Sequence, residues 1–160
     1  MNLNQVVQRI KALALKHKMV RSFDFGDISN FLNDKESSYP ACFVQDSPGS
    51  IDPNGRITTY NFKMFLLDLV HVAEDSKGNE LEVQSDMLSV AHDLIALLDS
   101  YEYQDWKLSS TPFTLIRDEY PDVVAGVACD FSISVMYVKD KCAVPKSGPF
   151  LFEDVFNKEM

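Results

Sequence analysis

Apolar residues recur at three- and four-residue spacing through Leu3, Val6, Val7, Ile10, Leu13 and Ala14, which predicts a helix over residues 3–17 with one apolar stripe. Its other side carries Gln5, Arg9 and Lys16, so burial should be one-sided. Val20–Phe25 reads as a short strand, and Ile28–Lys35 as a short helix stopped by Ser37-Ser38-Tyr39-Pro40. Residues 41–45 follow as a strand, whose start tolerates the missing N–H of Pro40. Asp46–Arg56 holds two prolines, two glycines and the pair Asn54-Gly55, and is expected to be a loop turning tightly at that pair. A loop of that length in a compact domain tends to have a task or to move.

From Thr59 to Leu69 the chain alternates with period two, and past Lys63 both faces become apolar. Counted from Arg56, such a strand would reach roughly 45 Å, about twice the usual length, and would overhang a small domain. Asp75–Asn79 is a turn. Leu81–Leu98 is the strongest helix, with Met87, Leu88, Ala91, Leu94, Ile95 and Leu98 on one face and Gln84, Ser85, Asp86, Ser89 and Asp93 on the other. It should be the main cover of a sheet. After a polar connection at Ser100–Lys107 come a short strand at Thr114–Arg117, a turn at Glu119–Asp122, and the clearest alternation in the chain at Val123–Tyr137. Strands grouped between helices predict an α+β fold with a mixed, mainly antiparallel sheet, long hairpin strands, and cover from an N-terminal and a central helix.

Length changes this picture little: 160 residues at 46% hydrophobic fit one domain with a full core. No apolar run reaches the ~18 residues of a membrane span, and Met1–Lys11 lacks the apolar centre of a signal peptide, so a cytoplasmic protein without membrane contact is expected. Cys42, Cys129 and Cys142 are odd in number and form no CxxC pair, which fits neither a disulfide scaffold nor a zinc knuckle. Cys42 and Cys129 lie in apolar strand patterns and are expected to be small core side chains.

Charge adds a second theme. Arg9, Lys11, Lys16, Lys18 and Arg21 all precede the first acid, Asp24, so residues 1–21 carry +5. The other ten basic residues face all 24 acids, which leaves −14 for the remainder. Two surfaces of opposite sign could meet head to tail between identical subunits; the plainer reading is a solvated helix face beside an ordinary acidic surface.

Candidate chemistry is sparse. His71 and His92 with Asp68, Glu74, Asp75 and Asp93 supply metal-type ligands, but no HxxxH or HxH spacing joins them. There is no GxSxG elbow, no GxGxxG and no phosphate-binding GxxxxGK[ST] loop. Cys142, near Lys139, Lys141 and Lys146, could be at most a moderately activated thiol. Asp118-Glu119 and Glu153-Asp154 read as a solvated turn and tail rather than a general acid and base. A chain of net charge −9 lacks the basic footprint of specific nucleic-acid binding. No catalytic, cofactor-binding or metal residue is therefore expected.

Phe25-Gly26-Asp27, Tyr39-Pro40 before a strand, the Thr59–Leu69 strand with Asp68 near its end, and Asp122-Val123-Val124-Ala125-Gly126 opening the last strand have an order and spacing that resemble the tail-terminator and neck proteins of tailed bacteriophages. The resemblance covers residues 3–145, and Cys142-Ala143-Val144-Pro145 is similar to the close of that family. It implies one domain over 1–145 followed by a C-terminal extension, 146–160. It implies further a mixed sheet flanked by helices, six- or twelve-fold rings of identical subunits at the joint between capsid and tail, contact with portal, adaptor or tail proteins, and no enzymatic activity. Such a subunit is made in the bacterial host and ends in the virion, where double-stranded DNA passes it without specific binding. On that expectation Arg9, Lys11, Lys16, Lys18, Arg21, Asp46, Ile51, Asp52, Phe150, Phe152 and Phe156 are candidate subunit or partner contacts. Asp46, Asp52, Glu74 and Asp75 are candidates for a channel wall that repels phosphate. The alternative class is a monomeric bacterial binding module or small hydrolase.

Overall fold

A computed structural model describes residues 1–32, 38–70, 79–99, 106–117, 124–138 and 144–145. The chain begins with helix α1, Leu3–Lys16, opened by a reciprocal cap in which the Gln5 N–H donates to Asn2 Oδ1 and the Asn2 N–H donates to Gln5 Oε1, each at 2.9 Å. Then come β1 (Ser22–Phe25), α2 (Ile28–Leu32), β2 (Ala41–Asp52), β3 (Ile57–Leu69), α3 (Glu80–Leu98), β4 (Trp106–Leu108), β5 (Phe113–Ile116) and β6 (Val124–Met136). The fold is α+β, as the patterning predicts, with one six-stranded sheet.

β3 and β6 form the centre of the sheet, antiparallel and paired without a break from Ile57↔Met136 to Leu69↔Val124. β2 lies on the far side of β3, also antiparallel, and β1 adds to β2 in parallel, the one parallel pair among the described residues. On its second edge β6 carries β4 opposite Ile133–Val135 and β5 opposite Gly126–Cys129. β4 and β5 are thus one broken edge strand, interrupted at Ser109–Pro112, and the Asp130 N–H still donates to the Pro112 carbonyl at 3.0 Å.

Period-two alternation sends one set of side chains to each face. Cys42, Val44, Phe62, Met64, Leu66, Val127, Cys129, Phe131 and Ile133 meet Val6, Ile10, Leu13 and Ala14 of α1 and Met87, Ala91, Leu94 and Leu98 of α3 in the main core. Ala41, Phe43, Phe65, Leu67, Val124, Ala128 and Ile116 make a smaller cluster on the other face, joined by Ile28 and Tyr39. This second cluster explains why both faces of β3 turn apolar beyond Lys63.

Three expectations are corrected. Asp46–Arg56 is no loop: β2 runs to Asp52, and only residues 53–56 turn. Between Ser47↔Asn61 and Ser50↔Thr59 the register slips by one residue at Pro48-Gly49, a β-bulge that admits a proline without breaking the ladder. The Asn61 Nδ2–H group donates to the Pro48 carbonyl at 2.7 Å and holds the bulge, and a Cβ on Gly49 would lie 2.6 Å from the Thr59 carbonyl oxygen. The end of the supposed polar connection at Ser100–Lys107 is strand β4, with Trp106 buried. Gln84, expected on the polar face of α3, is buried because its Nε2 donates to the Ile116 carbonyl at 3.0 Å, which satisfies the amide inside the fold.

Candidate functional site

The β2–β3 hairpin builds the first surface of interest. β1 pairs with Ala41–Val44, so among the described residues β2 beyond Val44 has an open outer edge, while β3 continues beside β6 to Met136. The result is an arm of β2, β3 and β6, flanked by β4 opposite Ile133–Val135 up to its last residues. At its tip Ile51 is 70% exposed and shares a face with Val135, whereas Met136 is 72% exposed and pairs with Ile57 on the opposite face. The tip is thus apolar on both sides. Its turn is set by Asp52, whose Oδ1 accepts from the Asn54 N–H at 3.0 Å and the Gly55 N–H at 3.2 Å, followed by Arg56 at a positive φ of 53°. Asp52 is engaged in shaping the arm as well as charging it, and Asp46 is exposed at the arm's base.

The basic residues do not act as one group. Lys11, Lys16, Lys18 and Arg21 are exposed along α1 and the segment after it. Arg9 is half-buried with its guanidinium carbon 4.7 Å from the Trp106 ring centroid, a cation–π contact tying α1 to β4. The indole Nε1–H of Trp106 in turn donates to the Leu98 carbonyl at 2.9 Å and satisfies one of the last acceptors of α3. His17 ties the other end of α1: the Met19 N–H donates to its Nδ1 at 3.1 Å, so its Nε2–H faces Asp93 Oδ2 at 2.8 Å on α3. Glu74, Asp75, Phe150, Phe152 and Phe156 lie outside the described residues, as do His71 and Cys142.

A second surface, which the sequence reading missed, is a cleft of about 380 Å³ between α3 and the edge strand. Leu88, Ala91, His92, Ile95 and Ala96 line it from the helix with Asp99 at the helix end, and Thr111, Phe113 and Cys129 from the sheet side, so it is mainly apolar with a few polar groups at its margin. These residues are far apart in sequence, and only the antiparallel pairing of Phe113 with Cys129 brings them under α3.

What this arrangement can do chemically is limited by its thiols. Burial pushes Cys42 up to about 12 and, helped by the neighbouring carboxylate of Asp130, Cys129 up to about 11. Both stay protonated at neutral pH, so neither supplies a thiolate nucleophile. Among the described residues no three His, Cys, Asp or Glu side chains gather to hold a metal ion, and no helix is long and apolar enough to cross a membrane. Compared with known proteins, the sequence matches no protein-family model and no curated protein.

Proposed function

We propose that this chain is a structural, non-enzymatic virion subunit that forms a six- or twelve-fold ring at the head–tail junction of a tailed bacteriophage, between portal or adaptor and tail, with DNA passing through the bore. The observation that carries the reading is the β2–β3 arm. An arm with apolar side chains on both faces of its tip has little to gain from water and fits a slot or shoulder on a neighbouring subunit. The exposed lysines of α1 and the exposed Asp46 of the arm give that contact opposite signs on two parts of one molecule, as a head-to-tail ring needs. In such a ring the acidic excess of the chain keeps phosphate from sticking to the bore. The alternative, a monomeric bacterial binding module or small hydrolase, draws its support from the α3 cleft; of the two it is the binding module that fits an apolar pocket without a nucleophile.

The arm is tested by the double variant Ile51→Asp/Met136→Asp. Both side chains are more than two-thirds exposed, so the purified variant should unfold within about 0.5 kcal/mol of the parent per site. It should nevertheless be left out of particles when it competes with the parent chain during assembly. Equal incorporation of the two chains would remove the arm from the joining surface.

A further inference from the structure

We propose that the edge of β5 and the cleft beside it receive an added β-strand, supplied by the C-terminal extension of a neighbouring copy, with Phe150 and Phe152 entering the cleft. The inference rests on the ring reading for the identity of the donor, and on the edge itself for the docking mode.

Antiparallel pairing alternates inward and outward backbone groups. Because the Asp130 N–H donates to Pro112, Thr114 faces Ala128 as a hydrogen-bonded pair, and the N–H and C=O groups of Phe113 and Leu115 point away from β6. Among the described residues no strand pairs with that edge. The side chains of these two residues are 51% and 40% exposed, and they lie on the same face as Cys129 and Val127, beside the cleft under α3. An open backbone edge running along an apolar groove is the arrangement by which an extended peptide adds to a sheet: the backbone gives affinity, and alternate side chains fill the groove.

The other edges are protected against such pairing. The open part of β2 carries Pro48 and the bulge, β1 is a short parallel strand of four residues, and β4 is three residues long with Lys107 in its middle. β5 is short too, but Phe113-Thr114-Leu115-Ile116 has no charge, proline or bulge, and an apolar edge of this kind is normally covered. Pro149-Phe150-Leu151-Phe152 offers the matching pattern, bulky aromatics two residues apart, which a strand would place on one side.

Hydrogen exchange on the full-length chain tests this residue by residue. The variant Phe150→Ser/Phe152→Ser is measured with and without a synthetic peptide of residues 148–156. The peptide should slow exchange at the Phe113 and Leu115 amides about tenfold or more and leave the inward-facing Thr114 and Ile116 amides unchanged; a peptide with both phenylalanines replaced by serine should do nothing. No slowing at Phe113 and Leu115, or equal slowing by the serine peptide, would overturn the proposal while leaving the ring reading intact. In the parent chain, protection that falls on dilution, or that is absent until peptide is added, agrees with a neighbour as donor. Protection independent of concentration would show the extension closing on its own subunit and overturn the assignment to a second copy.

Discussion

Replacing Gly126 with alanine should cost about 3 kcal/mol or more, a large part of the ~5–15 kcal/mol that holds a typical domain together. Gly126 sits in the middle of the sheet, with β3 on one side and β5 on the other. A Cβ there would come within 1.8 Å of the Leu66 carbonyl oxygen and 2.9 Å of its carbon. Those atoms are backbone, held on both sides by ladder hydrogen bonds, so relief requires parting the central pair of strands. Gly55→Ala is the control: its Cβ would meet Asp52 Oδ2 at 2.9 Å and Ile57 Cδ1 at 3.4 Å, the ends of side chains on a turn rather than backbone, so a small side-chain shift relieves it. Urea unfolding followed by circular dichroism should show a strongly lowered midpoint for the first variant and a nearly unchanged one for the second. Equal midpoints would mean that the β3–β6 register is wrong.

Trp106→Ala should be the other large loss, about 3–5 kcal/mol. The side chain is buried where three elements meet: it fills the main core, its ring carries Arg9 of α1, and its indole N–H satisfies the Leu98 carbonyl at the end of α3. Trp106→Phe keeps much of the ring and gives up the hydrogen bond, so its cost should be about 1–3 kcal/mol, the penalty of a buried carbonyl left without a donor. The difference between the two variants separates packing from hydrogen bonding. If Trp106→Phe were as damaging as Trp106→Ala, the bond to Leu98 rather than the packing would dominate this corner. Since Trp106 is the single tryptophan of the chain, the variants must be followed by circular dichroism and not by fluorescence.

The elements legible in the sequence are those whose periodicity is long and local. α1, α3, β3 and β6 each repeat an apolar pattern over a dozen or more residues, and each lies within two residues of its expected ends. The distal half of β2 was hidden because Pro48, Gly49, Pro53 and Gly55 give it the composition of a loop; the ladder to Ile57–Asn61 overrides that local preference and absorbs the misfit in one bulge. β4 is three residues long, too short for any period to show. Gln84 looked like surface because its partner is a backbone carbonyl 32 residues away.

The candidate site was legible to a smaller degree. The charge asymmetry and the length of β3 could be read directly, and Lys11, Lys16, Lys18, Arg21, Asp46 and Ile51 are exposed. That Arg9 would lie on Trp106, or that Asp52 would hold the hairpin turn, depends on side-chain positions that no spacing encodes. The cleft has no local signature at all, since α3 and Phe113 meet only through the sheet.

The central claim, a ring of identical subunits at the joint of a phage particle, is tested most directly by an electron-microscopic reconstruction of the neck region of intact virions computed without imposed symmetry. The proposal predicts six or twelve copies of this chain around the axis, each arm tip against the next subunit, and a bore whose charge within one Debye length, about 8 Å, is net negative. A single copy per particle, or density for this chain without rotational symmetry, would contradict it.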